Sequence, residues 1–247
     1  MFPIGDENHG ARGTPVVTIS LVAINALVFI YQMGLPVDEL QRFVFEYGMI
    51  PAEIERGQDY FTLLTSMFVH GGFGHIFGNM LFLWIFGDNI EQRFGPVLYL
   101  LFYLGCGLAA SYAHLVTNSG STVPSVGASG AISGVMGAYV LLYPLNPVRV
   151  LVWFWGIFYV PAYLFLGIWF LTQLMNGLIE LQVATAQTSG VAFWAHIGGF
   201  VAGVAAGAVL GAIRREPKRL PLEAGRWAQR PRSRRDDPFD PFERWGW

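Results

Sequence analysis

The side chains able to do chemistry in this chain are few and sit in glycine-rich apolar surroundings. Ser129 lies in VGASGAISGVMGAY and His196 in AHIGGFVAGVAAG, while His75 and Asn79 stand four residues apart in HGGFGHIFGN. A serine hydroxyl is a weak nucleophile until a neighbouring base takes its proton, and imidazole suits that task near neutral pH. His75 and Asn79, at i and i+4, would stack on one helix face, and both can donate to an oxygen. Together the four supply a nucleophile, a base and the kind of donors that hold a developing oxyanion in acyl transfer. Gly127 and Gly130 would let a substrate backbone come close, and a Ser129 N–H at a helix start is a donor with no helical partner. No carboxylate joins them, because Asp88, Glu91 and Glu180 fall elsewhere along their segments. Plainer roles fit the same residues. Ser129 suits a small-residue packing face with its hydroxyl bonded back to its own helix, and an intramembrane histidine suits an interhelical hydrogen bond. Metal binding is weakly supported: His70 and His75 are five apart, HExxH is absent and no carboxylate is spaced to complete a site. His70 is expected to be structural, and His9 and His114 to be surface or interfacial histidines.

What must position these residues is a set of membrane helices. Of 247 residues, 53% are hydrophobic and 13% charged, about half the charge of a soluble domain. Apolar segments of bilayer length run at about 15–33, 74–92, 96–116, 161–180 and 192–213. Residues 129–143 form a sixth, too short at about 22 Å to cross a core of roughly 30 Å, so this helix is expected to start below one membrane face. The polar loop before it must then be covered by protein or water. Residues 148–159 are read as an interfacial segment leading to the fifth span. The expected fold is an all-α polytopic membrane protein, a six-transmembrane-helix bundle. Gly199, Gly203, Gly207 and Gly211 recur every four residues on the face that carries His196, while Ser129, Gly130, Gly134 and Gly137 share one arc of about 140°. Two such faces packed together would bring Ser129 to His196.

Charge sets direction. From Arg214 onward the chain holds Arg214, Arg215, Lys218, Arg219, Arg226, Arg230, Arg232, Arg234, Arg235 and Arg244, ten of its 15 basic residues. That places the C-terminus, and with six spans the N-terminus, in the cytoplasm. Residues 34–74 hold Arg42 and Arg56 against Asp38, Glu39, Glu46, Glu53, Glu55 and Asp59, as an outer loop would. Three regions are therefore expected: a cytoplasmic N-terminal arm at 1–14, the six-helix domain at 15–213 and a basic, disordered cytoplasmic tail at 214–247. The first apolar segment lacks signal-peptide flanks and should be retained. A net charge of -2 gives no argument for a nucleic-acid partner, and the lone Cys106 allows no internal disulfide.

The runs HGGFGHIFGNMLFLWIFGDNIEQRFG, GASGAISG and AHIGGFVAG, in this order at the starts of the second, fourth and sixth spans, closely resemble the signature of rhomboid proteases. The likeness covers about residues 15–213. It implies an intramembrane serine endopeptidase that cuts single-span membrane proteins in the bilayer, needs no cofactor and faces a water-filled cavity opening outward. Ser129 would be the nucleophile and His196 the general base and acid, with His75, Asn79 and the Ser129 N–H as oxyanion hole. The likeness also implies a bacterial inner membrane, a structural role for Glu91 and Arg93, and substrate access beside the fifth span, where Trp169 and Phe170 would close against Phe82, Trp84 or Phe86. The sequence departs from the family at two places. Ser133 stands where many members carry an aromatic ring that stacks on the catalytic imidazole, and Phe61 and Thr62 stand where a Trp-Arg pair is common. A rhomboid-like pseudoenzyme would be expected to lack the serine or histidine. A proton-coupled transporter would need paired mid-membrane acids and a repeat of broken helices, and the sequence has neither.

Overall fold

The computed structural model describes residues 2–6, 13–182 and 191–213. The basic tail, His9 and the segment between the last two helices lie outside the described residues. Strand β1 (Phe2–Asp6) precedes helices α1 (Val16–Met33), α2 (Val37–Tyr47), α3 (Pro51–Glu55) and α4 (Thr62–Thr65), with a 3-10 turn at Ser66–Phe68. Then come α5 (Phe73–Phe94), α6 (Pro96–Thr117), α7 (Ser129–Leu142), strands β2 (Pro147–Val152) and β3 (Gly156–Pro161), α8 (Ala162–Gln182) and α9 (Phe193–Ile213).

Among the described residues, four helices are long and apolar enough to cross a membrane: α1, α6, α8 and α9. The other two expected spans differ in kind. Helix α5 has the length but carries Asp88, Glu91 and Arg93 in its last turns, and α7 has 14 residues. Length and composition alone thus give four spans, and the six-span count rests on how α5 and α7 pack. Helix α7 is the centre of that packing, with every residue from Gly130 to Tyr139 buried. A short helix that is apolar all round belongs inside a bundle, where its neighbours rather than lipid cover its ends.

Glycine decides how close the neighbours come. A methyl at Gly199 or Gly203 of α9 would overlap the carbonyl of Gly130 or Gly134 of α7, and one at Gly137 would overlap the Phe200 carbonyl. Helices α7 and α9 therefore meet backbone to backbone, as small residues spaced by four permit in a membrane. At the same interface α6 contributes Ala110 and Cys106 against Gly130 and Gly134. The connection from α5 to α6 turns at Gly95, where φ is +79°, a value only glycine adopts without strain.

The α5 charges tie elements together. Glu91 accepts from the Val17 N–H, the Thr18 N–H and the Thr18 hydroxyl, each at 2.8 Å, and so satisfies unpaired donors at the start of α1. Arg93 donates to the Gly211 carbonyl near the end of α9 at 3.2 Å. Both contacts are structural, as the resemblance implies.

A sheet was not expected from the sequence. Strands β1, β2 and β3 form one antiparallel sheet in that order, with Phe2 opposite Leu151 and Pro147 opposite Pro161. Segment 148–159 is thus a hairpin, and its tip presents Trp153, Phe154 and Trp155 outward, residue types that suit a membrane interface. Part of the expected N-terminal arm is the edge strand of this sheet. Asp6 accepts hydrogen bonds from the Tyr139 hydroxyl of α7 and, at 2.9 Å, from Asn89 of α5. The sheet follows the C-terminal end of α7, the end away from Ser129.

Candidate active site

Helix α7 cannot begin at Ser129 unless the loop before it is held. Met49 and Ser125 exchange backbone hydrogen bonds at 3.0 and 2.8 Å, Ala52 donates to the Ser121 carbonyl and Gly127 to the Ser66 carbonyl. The segment between α1 and α5 thus cradles residues 118–128, the cover that irregular backbone at membrane depth requires. Gly127 has φ +124°, and a methyl there would sit 2.6 Å from His75 Nε2. Any other residue would be strained and would push into the site.

Ser129, at the start of α7, and His196, in the first turn of α9, come together. His196 Nε2 lies 2.8 Å from Ser129 Oγ, the result of the glycine contacts between the two helices. Ser129 does not bond back to its own helix. Ser133 does, donating to the Ser129 carbonyl at 2.6 Å while fully buried, so it offers the imidazole nothing in place of a ring.

His75 and Asn79, in the first two turns of α5, face the same place. The Gly71 N–H donates to His75 Nδ1 at 3.4 Å, which leaves the proton on Nε2, the nitrogen turned toward Gly127. Asn79 is buried, and its Nδ2 has no hydrogen-bond partner among the described residues. An unpaired buried donor costs stability, typically 1–3 kcal/mol, so its retention calls for a functional explanation. His70 is structural: its N–H and carbonyl pair with the Gln32 amide at 3.1 and 3.0 Å, and its ring meets that of His75 edge to face at 5.2 Å. Burial, then the neighbouring His75, pushes the His70 pKa down to about 4, so it stands neutral behind His75.

Ser129, His196, His75 and Asn79 line a cavity of about 1040 Å³. His114, expected to be a surface or interfacial histidine, is half-buried and lines it too, its ring 3.3 Å from Asn118 Nδ2. Helix α8 supplies two contacts that sequence reasoning missed. Gln173 Oε1 lies 2.8 Å from His196 Nδ1, and the Trp169 ring lies 5.9 Å from the imidazole at 37°. The available signal was an amide in the middle of an apolar span, one turn after a tryptophan. The expected closure of Trp169 and Phe170 against α5 is not what the packing shows. Both rings pack on Phe200 of α9, at 6.2 and 4.5 Å, because α9's small residues leave room there. Helix α8 meets α5 through Phe165 on Phe82 at 6.4 Å, while Trp84 is exposed and Phe86 packs on Tyr139.

Fold and site together describe a polytopic helical membrane protein with a serine and a histidine paired beside a cavity. The Rhomboid domain profile matches residues 57–213, and the chain belongs to the rhomboid family. It is 31% identical over 199 residues to RHOMBOID-like protein 12, mitochondrial, of Arabidopsis thaliana, covering 74% of this chain and 55% of that protein. It is 33% identical over 132 residues to Rhomboid protease GluP of Bacillus subtilis, covering 53% and 25%, and 28% identical over 218 residues to Rhomboid protein 1, mitochondrial, of Saccharomyces cerevisiae, covering 84% and 57%. The chain therefore spans little more than half of the plant and yeast relatives and a quarter of GluP. Two of the three carry mitochondrial names, so the expected bacterial inner membrane has no support from them. An integral membrane location stands on the apolar helices.

Proposed function

We propose that this chain is a serine endopeptidase that cuts transmembrane segments of other membrane proteins with Ser129 and His196. One observation carries the reading: His196 Nε2 and Ser129 Oγ are 2.8 Å apart at a cavity that also holds Asn79 Nδ2, which has no partner among the described residues. As Ser129 Oγ attacks a substrate carbonyl carbon, His196 Nε2 takes the hydroxyl proton. The carbonyl oxygen becomes an oxyanion facing Asn79 Nδ2, His75 Nε2–H and the Ser129 N–H. His196 then gives its proton to the departing amine, and a water activated by the same imidazole hydrolyses the acyl-enzyme. No cofactor enters these steps. The charge bias supports a cavity on the face opposite the Arg-rich tail, with both termini on the tail's side. The same cavity side would receive single-span substrates from the bilayer.

A fluorophosphonate probe separates this reading from a binding-only relative, since the probe reacts with a serine that an assembled base activates. The wild-type protein in detergent or vesicles is expected to label. Ser129→Ala and His196→Ala should both lose labelling and cleavage of a co-reconstituted single-span protein, and the double variant should lose no more than either single one, because the pair acts as a unit. Labelling that survives Ser129→Ala would remove Ser129 from the role. A folded wild-type protein that neither labels nor cleaves would leave the binding-only reading.

A further inference from the structure

Given the proposed Ser129–His196 dyad, we infer that Gln173 is the positioning residue of the base: its amide oxygen holds the His196 proton on Nδ1 and so keeps Nε2 free to accept from Ser129. The problem it addresses is tautomeric. A neutral imidazole carries one N–H, and only the form protonated at Nδ1 leaves Nε2 able to take the serine proton. In the other tautomer Nε2–H donates to Ser129 Oγ, and the dyad is inert. Triads settle this with a carboxylate, and among the described residues none is bonded to His196.

The polarity of the bonds can be followed from α8 inward. The Thr172 hydroxyl donates to the Trp169 carbonyl at 2.6 Å, so its proton is committed and its oxygen can only accept. Gln173 Nε2 points to that oxygen at 3.4 Å, a weak bond but one that fits a single amide orientation. Gln173 Oε1 is then the atom 2.8 Å from His196 Nδ1, which must donate, and His196 Nε2, 2.8 Å from Ser129 Oγ, must accept. Trp169, one turn before Gln173 on α8, limits tilt of the ring at 5.9 Å. Ring and amide together do what the aromatic missing at Ser133 does not. A neutral amide suits the setting, since a carboxylate in a membrane span is costly. Both contacts come from α8, the least buried of the four long apolar helices, at 17% of its membrane window against 39% for α6. Orientation of the base therefore depends on where α8 sits.

The experiment compares Gln173→Leu, Gln173→Glu and Thr172→Val with the wild type in vesicles, by fluorophosphonate labelling rate and by kcat and KM for a single-span substrate. Gln173→Leu should lower kcat and labelling by on the order of 10- to 100-fold with KM within about twofold. Gln173→Glu keeps an acceptor at Nδ1 and should recover most of kcat at high pH. Its carboxylate would favour the imidazolium, so the acid limb of its pH profile should move to higher pH. His75 on α5, His114 on α6 and Glu180 on α8 also face the cavity and are unchanged in all variants. Thr172 is exposed, so Thr172→Val should fold normally and lose a few-fold in kcat. A wild type that does not label would overturn the dyad itself. A wild type that labels while Gln173→Leu labels within twofold of it, or a Gln173→Glu profile with an unmoved acid limb, would overturn the role of Gln173 alone.

Discussion

With Asn79 as a proposed oxyanion donor, its replacement would measure how much of the site acts only in the transition state. Its Nδ2 is buried and has no partner among the described residues, so removing it breaks no bond in the resting protein. Asn79→Ala should therefore lower kcat by on the order of 10- to 10³-fold and leave KM nearly unchanged, as loss of one oxyanion donor does. Steady-state kinetics on a single-span substrate would check it, and a raised KM with kcat intact would remove the oxyanion role. At this scale the sequence showed residue types well and partners poorly. That Ser129, His196, His75 and Asn79 meet at one cavity was legible because polar side chains in apolar helices are rare and these open their helices together. Which serine bonds back to its helix depends on where α7 starts: Ser129 is its first residue and has no helical carbonyl four residues before it, whereas Ser133 has that of Ser129. Gln173 was missed because an amide in mid-span acquires meaning only when a second helix brings a histidine to it.

Elements were legible in proportion to how local their causes are. Four of the six expected spans followed from apolar length, and the α7–α9 contact from glycines spaced by four, because both are written within one helix. The sheet was not, since its pairings join residues 2–6 to 148–151, and a five-residue strand has too little pattern to announce itself. Its anchor makes a pH prediction. Burial first, then the nearby Asp88, raises the Asp6 pKa from its ordinary 3.8 to about 6, although hydrogen bonds from Tyr139 and Asn89 oppose the rise. When β1 is docked Asp6 thus holds its proton more tightly than when β1 is released. Below about pH 4 both states are protonated and docking is strongest. Between about 4 and 6 the released state ionises first, so docking weakens as pH rises and levels off once both are ionised. Amide hydrogen exchange, corrected for its intrinsic pH dependence, should show protection of residues 2–6 falling through that window, and Asp6→Asn should hold it level. Equal protection at pH 4 and pH 7 in the wild type would contradict this.

For the whole molecule, the arrangement of the bundle would restrict what the proposed endopeptidase can cut. Ser129 lies where a short central helix begins, at the edge of a cavity bounded by α5, α6, α8 and α9, rather than on an outer surface. A substrate helix has its backbone carbonyls bonded to its own N–H groups and shielded by its side chains, so a serine held there cannot reach one until that stretch unwinds. Gly127, whose missing side chain leaves space in front of His75 Nε2 and Asn79 Nδ2, leaves room for an extended backbone with small side chains more readily than for a bulky residue. Unwinding is easiest at glycine and proline, which lower helix stability by about 1 and 3 kcal/mol relative to alanine. A single-span protein with Ala or Gly near the end of its helix on the cavity side, and a helix breaker a few residues further in, is therefore expected to be cut at the small residue. Replacing the breaker with Leu should reduce kcat far more than it raises KM, because the intact helix can still meet the enzyme in the bilayer but must pay for unwinding before attack. The check is a matched pair of substrates co-reconstituted with the enzyme, with the cut site read by mass spectrometry and rates taken over several substrate-to-lipid ratios. Equal kcat for the breaker-containing and the uniformly Leu-rich helix would show that unwinding is not limiting, and selection would then have to lie in how α8 admits the helix rather than in how easily the helix opens.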